Sequence, residues 1–138
     1  MEKPTQIHTV HVVATSLEGT RAALKAAARV AASRRARLVL LVPDVTPPAI
    51  AQSPLAANWL IARYEEMARA VDQPVAIRLC KTTSAAEVAL RLTPPDAVVY
   101  VGGTSTWLWP SAEERLAARL TRSGRAVVFV GQGVDAHA

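Results

Sequence analysis

The densest cluster of chemically useful residues in this chain is Gly102, Gly103, Thr104, Ser105 and Thr106, followed after Trp107-Leu-Trp109-Pro110 by Ser111. Two glycines let a backbone approach a ligand closely, and three hydroxyls offer hydrogen bonds. The stretch SAEE that starts at Ser111 opens a helix, whose N–H groups and dipole suit an anion. Ser111 also has the spacing of a plain capping box with Glu114, and capping is enough to explain it. A second hydroxyl pair, Thr15-Ser16, closes the first apolar run. Trp107 and Trp109 alternate, so in an extended loop they point in different directions. They could plug a crevice, pack the loop on the next helix, or anchor a partner, a role in which tryptophan is over-represented.

Other reactive residues do not assemble into a centre. His8 and His11 sit three apart on one strand, hence on opposite faces, and His137 lies near the far end, so no shared metal is expected. Cys80 is the single cysteine, which leaves no internal disulfide; beside Lys81 at a strand end it reads as a buried, inert thiol. No G-x-S-x-G elbow and no nucleophile–base–orienter trio can be built, so the expectation is a protein that is not an enzyme. A phosphoacceptor receiver needs acidic residues after the first strand, where this chain has Thr15-Ser16. Glu65-Glu66 and Glu113-Glu114 read as solvated helix faces, the latter pair favouring its helix N-terminus. Arg34, Arg35 and Arg37 cluster where positive charge complements the end of the first helix.

The elements that must position these residues are legible from periodicity. Five short apolar runs occur at 8–14 (HTVHVVA), 38–42 (LVLLV), 75–80 (VAIRLC), 97–101 (AVVYV) and 126–130 (AVVFV). Most are near-continuous, as in strands buried on both faces; the third alternates, as suits a sheet edge. Helical patterns fill the gaps at 18–35 and 55–71, after the Ser84 box (SAAE), and after Ser111. Pro94-Pro95 stops the third helix and Gly124 the fourth. Alternating strands and helices imply a single doubly wound, five-stranded parallel α/β sheet with about four helices. Ligands in such sheets bind beyond the carboxyl ends of the strands, where strand order reverses. That rule selects Thr15 and Ser16, Pro43 and Asp44, and the glycine-hydroxyl stretch.

Composition sets the frame. One domain over 1–138 is expected for 138 residues, with 131–138 as a flexible tail. Apolar residues at 51% and charged ones at 20% exclude a disordered chain. No apolar run reaches membrane length, and MEKPTQIHTV lacks the core of a secretory signal, so a cytoplasmic location is expected. The net charge is +5 in a chain rich in alanine and arginine, a compositional bias that by itself names no nucleic-acid partner.

Residues 11–32 (HVVATSLEGTRAALKAAARVAA) and the block DAVVYVGG, SAEERLAARL, GRAVVFV from 96 to 130 resemble the universal stress protein family. The resemblance covers nearly the whole chain. It implies a sheet of order 3-2-1-4-5, a homodimer formed through the last strand (126–130), a role in stress response, and in many members a bound ATP. The chain departs from the ATP-binding pattern. Thr15 stands where those members carry an Asp. Their phosphate loop runs Gly, two residues, Gly, nine residues, then Gly and Ser or Thr. Here Gly102 matches the first glycine, Ser105 replaces the second, and only residues 106–109 precede Pro110-Ser111. Each lost contact to a charged oxygen is worth about 1.5–3 kcal/mol, so the usual triphosphate grip is not expected and no cofactor is assigned. One alternative is ATP, AMP or a lone phosphate held by Gly102, Gly103, Thr104, Ser105, Thr106 and Ser111, with Thr15 and Ser16 near the sugar. Another is an FMN-binding flavodoxin-like module using the 15–20 turn (TSLEGT), with Trp59 or Trp107 flanking the flavin.

Overall fold

A computed structural model describes residues 9–44, 54–104 and 108–131, with the backbone alone at 54–57. The elements are β1 (Thr9–Val13), α1 (Leu17–Arg34), β2 (Arg37–Asp44), α2 (Pro54–Arg69), β3 (Val75–Lys81), α3 (Ala85–Leu92), β4 (Val98–Gly103), α4 (Ala112–Arg122) and β5 (Ala126–Gly131). The strands form one sheet in the order β3-β2-β1-β4-β5, all pairs parallel. A flavodoxin-like sheet has the order 2-1-3-4-5. Here β3 is an edge strand and β1 lies between β2 and β4, so the flavodoxin-like fold of the FMN alternative is not the one adopted. Trp59, one of its proposed flanking rings, stands exposed on α2 with the Arg63 guanidinium 5.5 Å from its ring centre.

Side-chain alternation along the strands builds two cores. Val10 and Val12, Leu38, Leu40 and Val42, and Tyr100 meet Ala23, Leu24, Ala27 and Ala31 of α1 with Tyr64 and Met67 of α2. On the opposite face Val13, Leu41, Val99 and Val101 meet Ala86 and Ala89 of α3 and Leu116, Ala117 and Leu120 of α4. The small residues of α1 let that helix lie close to the centre of the sheet. The edge strands are only half buried, and their sequences differ in how openly they say so. Residues of β3 alternate in polarity, whereas β5 is apolar throughout and leaves Val128 40% exposed.

Both expected helix stops hold, α3 ending at Leu92 before Pro94-Pro95 and α4 at Arg122 before Gly124, and one strand end differs. Gly124 adopts φ +98°, the left-handed conformation a helix stop requires. At the end of α1 the same turn falls to Arg35, with φ 54°, and Ala36 N–H donates back to the Ala31 carbonyl. Pro43 and Asp44, expected beyond the second strand, are its last two residues and pair with Cys80 and Lys81. Leu41 O accepts from Ala14 on the β1 side and Asp44 O accepts from Thr82 on the β3 side. Alternation therefore turns the Pro43 nitrogen toward β1, which has already ended at Val13, and no ladder bond is forfeited. Cys80 is half-buried on edge strand β3 rather than enclosed.

Away from the switch point, Arg125 is 8% exposed and ties the amino end of β5 to the end of α3. Its Nε donates to Thr93 Oγ1 (2.7 Å), Nη1 to Ser123 Oγ (2.8 Å), and Nη2 to the Leu90 and Thr93 carbonyls (both 2.8 Å). A cation thereby caps the carbonyl end of a helix from 32 residues away.

Candidate functional site

Strand order reverses between β1 and β4, where α1 leaves across one face and α4 across the other. The turn after β1 is stitched to itself. Thr15 N–H donates to Thr20 Oγ1 (2.9 Å), and the Thr20 hydroxyl donates to Ser16 O (2.7 Å). Ser16 is the N-cap of α1, its Oγ accepting from Gly19 N–H at 3.0 Å. The Tyr64 hydroxyl, whose pKa burial pushes up, donates to Thr15 O at 3.3 Å.

Gly102 belongs to this packing. The Thr15 hydroxyl donates to its carbonyl at 2.6 Å. A Cβ at Gly102 would sit 1.8 Å from Gly19 O, and one at Gly19 would sit 2.7 Å from Gly102 O. The two glycines let the end of β4 and the first turn of α1 touch backbone to backbone. Gly103 makes room for a side chain of α4 instead: a Cβ there would lie 2.5 Å from both Cβ and Cγ of Glu113 and 2.8 Å from its Oε1. A carboxylate stem thus rests on the second glycine.

The hydroxyl at Ser111 is taken up locally. Its Oγ accepts from Glu114 N–H (3.1 Å) while Glu114 Oε1 accepts from Ser111 N–H (2.8 Å), a closed capping box at the start of α4. Thr104 follows β4 half-buried. Ser105, Thr106 and Trp107 lie outside the described residues, as do His8 and His137. Trp109 is 77% exposed and Leu108 64% exposed, so Trp109 does not plug the crevice.

A crevice of about 360 Å³ does open at the carboxyl ends of the strands. Ala14, Pro43, Ala85, Ala112 and Leu116 supply apolar walls, and Thr15, Ser16 and Glu113 its polar atoms. Of the sequence candidates, Thr15 and Ser16 reach it, whereas Gly102, Gly103, Thr104 and Ser111 are not among its described lining residues. Glu113, Leu116 and Ala85 were missed as site residues. The one available signal was position: Glu113 is the second helical residue after a capping serine, hence at the mouth of any site the helix faces.

Among the described residues no three of His, Cys, Asp and Glu gather where a metal could be held. His11 sits in the middle of β1, 7% exposed, with Nδ1 buried and without a hydrogen-bond partner. Burial lowers its pKa, and the nearby Arg78 charge lowers it further.

No family model matches the chain, and no curated protein matches its sequence. Among solved structures, a universal stress protein in complex with cAMP superposes with a TM-score of 0.60. That likeness spans 91% of this chain and 98% of the other at 15% identity. It establishes a shared fold: the sheet order that the sequence resemblance implied is the one observed.

Proposed function

We propose that this chain is a universal-stress-protein-like regulatory protein of the cytoplasm, non-enzymatic, that binds a small ligand or a partner and does not grip ATP in the family's usual manner. The observation that carries this reading is the use made of the two glycines. Gly102 is packed on Gly19 with its carbonyl bonded to Thr15, and Gly103 is covered by Glu113. A phosphate brought to that place meets a carboxylate. At about 5 Å and an effective dielectric constant of about 20, each unit of like charge costs about 3 kcal/mol. A triphosphate multiplies that cost, which supports the reading that ATP is not gripped in the usual manner.

A second reading draws on the neighbour in complex with cAMP, a ligand with a single phosphate charge. In that reading AMP, ATP or a phosphate uses the 102–106 stretch and Ser111, with Thr15 and Ser16 near the sugar. Mass spectrometry of the purified protein under native conditions separates the two. The first reading expects no co-purifying nucleotide; a stoichiometric nucleotide supports the second.

The proposal includes a homodimer through β5. Only β4 pairs with this strand among the described residues, its residues are apolar, and an open apolar edge is a liability unless covered. Trp109, exposed beside the α4 cap, is a further contact for a partner. Light scattering at micromolar concentration should report twice the chain mass; a monomer removes the dimer.

A further inference from the structure

We infer that the crevice takes a small, largely apolar molecule carrying an amine or another cationic group, and that Glu113 is the residue that reads its charge. The inference rests on the reading above, because it names the ligand class for the same crevice. At about 360 Å³ the space falls within the range of small-molecule sites, and its composition is theirs too: apolar walls with a few fixed polar atoms.

The polar atoms have a definite sense. The Thr15 hydroxyl spends its hydrogen on the Gly102 carbonyl, so toward a ligand its oxygen can only accept. Ser16 accepts from Gly19 N–H, which leaves its hydroxyl hydrogen to donate. Glu113 is an acceptor with a full charge. No lysine or arginine is among the described lining residues, and none of the described residues forms an ion pair with Glu113. Among the lining side chains two acceptors, one a carboxylate, stand against one hydroxyl donor, so Glu113 carries the one full charge at a crevice otherwise ringed by the helix starts at Ser16, Ala85 and Ala112.

The carboxylate is also placed, rather than merely exposed on a helix turn. Its Cβ and Cγ occupy the space a side chain at position 103 would need, so the glycine there seats the stem against the end of β4. The small walls at Ala85 and Ala112 leave the volume beside it open for the apolar body of the ligand. Charge-assisted hydrogen bonds are roughly twice as strong as neutral ones, and that difference sets the selectivity.

Titration of the full chain with 2-phenylethylamine, 2-phenylethanol and 3-phenylpropionate, followed by amide chemical shifts, tests this with three probes of similar size and different charge. The amine should saturate shifts at Ala14, Ser16 and Ala112, bind about tenfold tighter than the alcohol, and leave the carboxylate without saturation. Glu113→Gln should erase the preference for the amine while leaving the affinity of the alcohol unchanged. Equal binding of amine and carboxylate, a preference that survives Glu113→Gln, or failure of all three probes would overturn the inference. MgATP titrated in parallel keeps the two claims apart. Failure of the probes with no ATP binding sinks only the ligand class, whereas ATP saturating the same amides sinks the underlying reading as well.

Discussion

Replacing Gly102 by alanine would bring a Cβ to 1.8 Å from the carbonyl oxygen of Gly19, a clash of backbone on backbone that no rotamer relieves. Relief requires β4 and the first turn of α1 to separate by more than an ångström. Overpacking of this kind costs about 1–3 kcal/mol. The separation also stretches the 2.6 Å hydrogen bond from Thr15 to Gly102 O, worth a further ~1 kcal/mol. Together these give a loss of about 3 kcal/mol, a large part of the ~5–15 kcal/mol typical of a domain. With a urea slope of about 2 kcal/mol/M, the midpoint should fall by about 1.5 M. Gly19→Ala sharpens the test because helix propensity alone would raise stability by about 1 kcal/mol. Its Cβ would instead meet Gly102 O at 2.7 Å and Ser16 Oγ at 2.9 Å, so a net loss is expected. Equilibrium urea unfolding followed by circular dichroism measures both. A Gly102→Ala midpoint within 0.3 M of the parent, roughly 0.6 kcal/mol at that slope, would refute the packing role. That result would return Gly102 to the class of glycines kept for ligand approach.

Other expectations follow from single sites. Arg125→Met should cost about 3 kcal/mol, since the Leu90 and Thr93 carbonyls and Thr93 Oγ1 lose their donor, with Arg125→Lys intermediate; urea midpoints check both. His11 has a folded-state pKa lowered below the ordinary 6.5 by burial and then by Arg78, so the unfolded chain binds the extra proton. Its contribution is complete above pH ~6.5 and declines as pH falls through that value, levelling off beneath the folded-state pKa. His11→Leu should flatten the stability profile between pH 7 and 5.5; an unchanged slope would assign the loss to other groups. Arg35→Gly should raise stability by about 1 kcal/mol because the left-handed φ of 54° no longer strains a side chain; thermal or urea midpoints show the sign.

What could be seen in the sequence divides along range. The strands and helices are local patterns: Val-rich runs, the alternation in β3, and the boxes at Ser84 and Ser111 all report on residues a few positions apart. Each was legible for that reason. The switch-point site is made of contacts between distant residues. Thr15 meets Gly102 across 87 positions, and nothing near either residue announces it. Gly102 and Gly103 were visible as glycines, but whether a glycine admits a ligand or a neighbouring backbone depends on what stands opposite. Here Gly19 and Glu113 stand opposite. Arg125 was invisible in the same way, because its partners lie on α3 and in the turn before β5. Pro43 shows the reverse case: a local rule ended β2 early, and the tertiary fact that β1 stops at Val13 let the strand continue.

Isothermal titration calorimetry measures the association of this chain with MgATP directly. With the crevice apolar and a carboxylate seated on Gly103, ATP at several hundred micromolar should give no saturable heat. A one-to-one isotherm with micromolar Kd would contradict the assignment of Gly102 and Gly103 to packing.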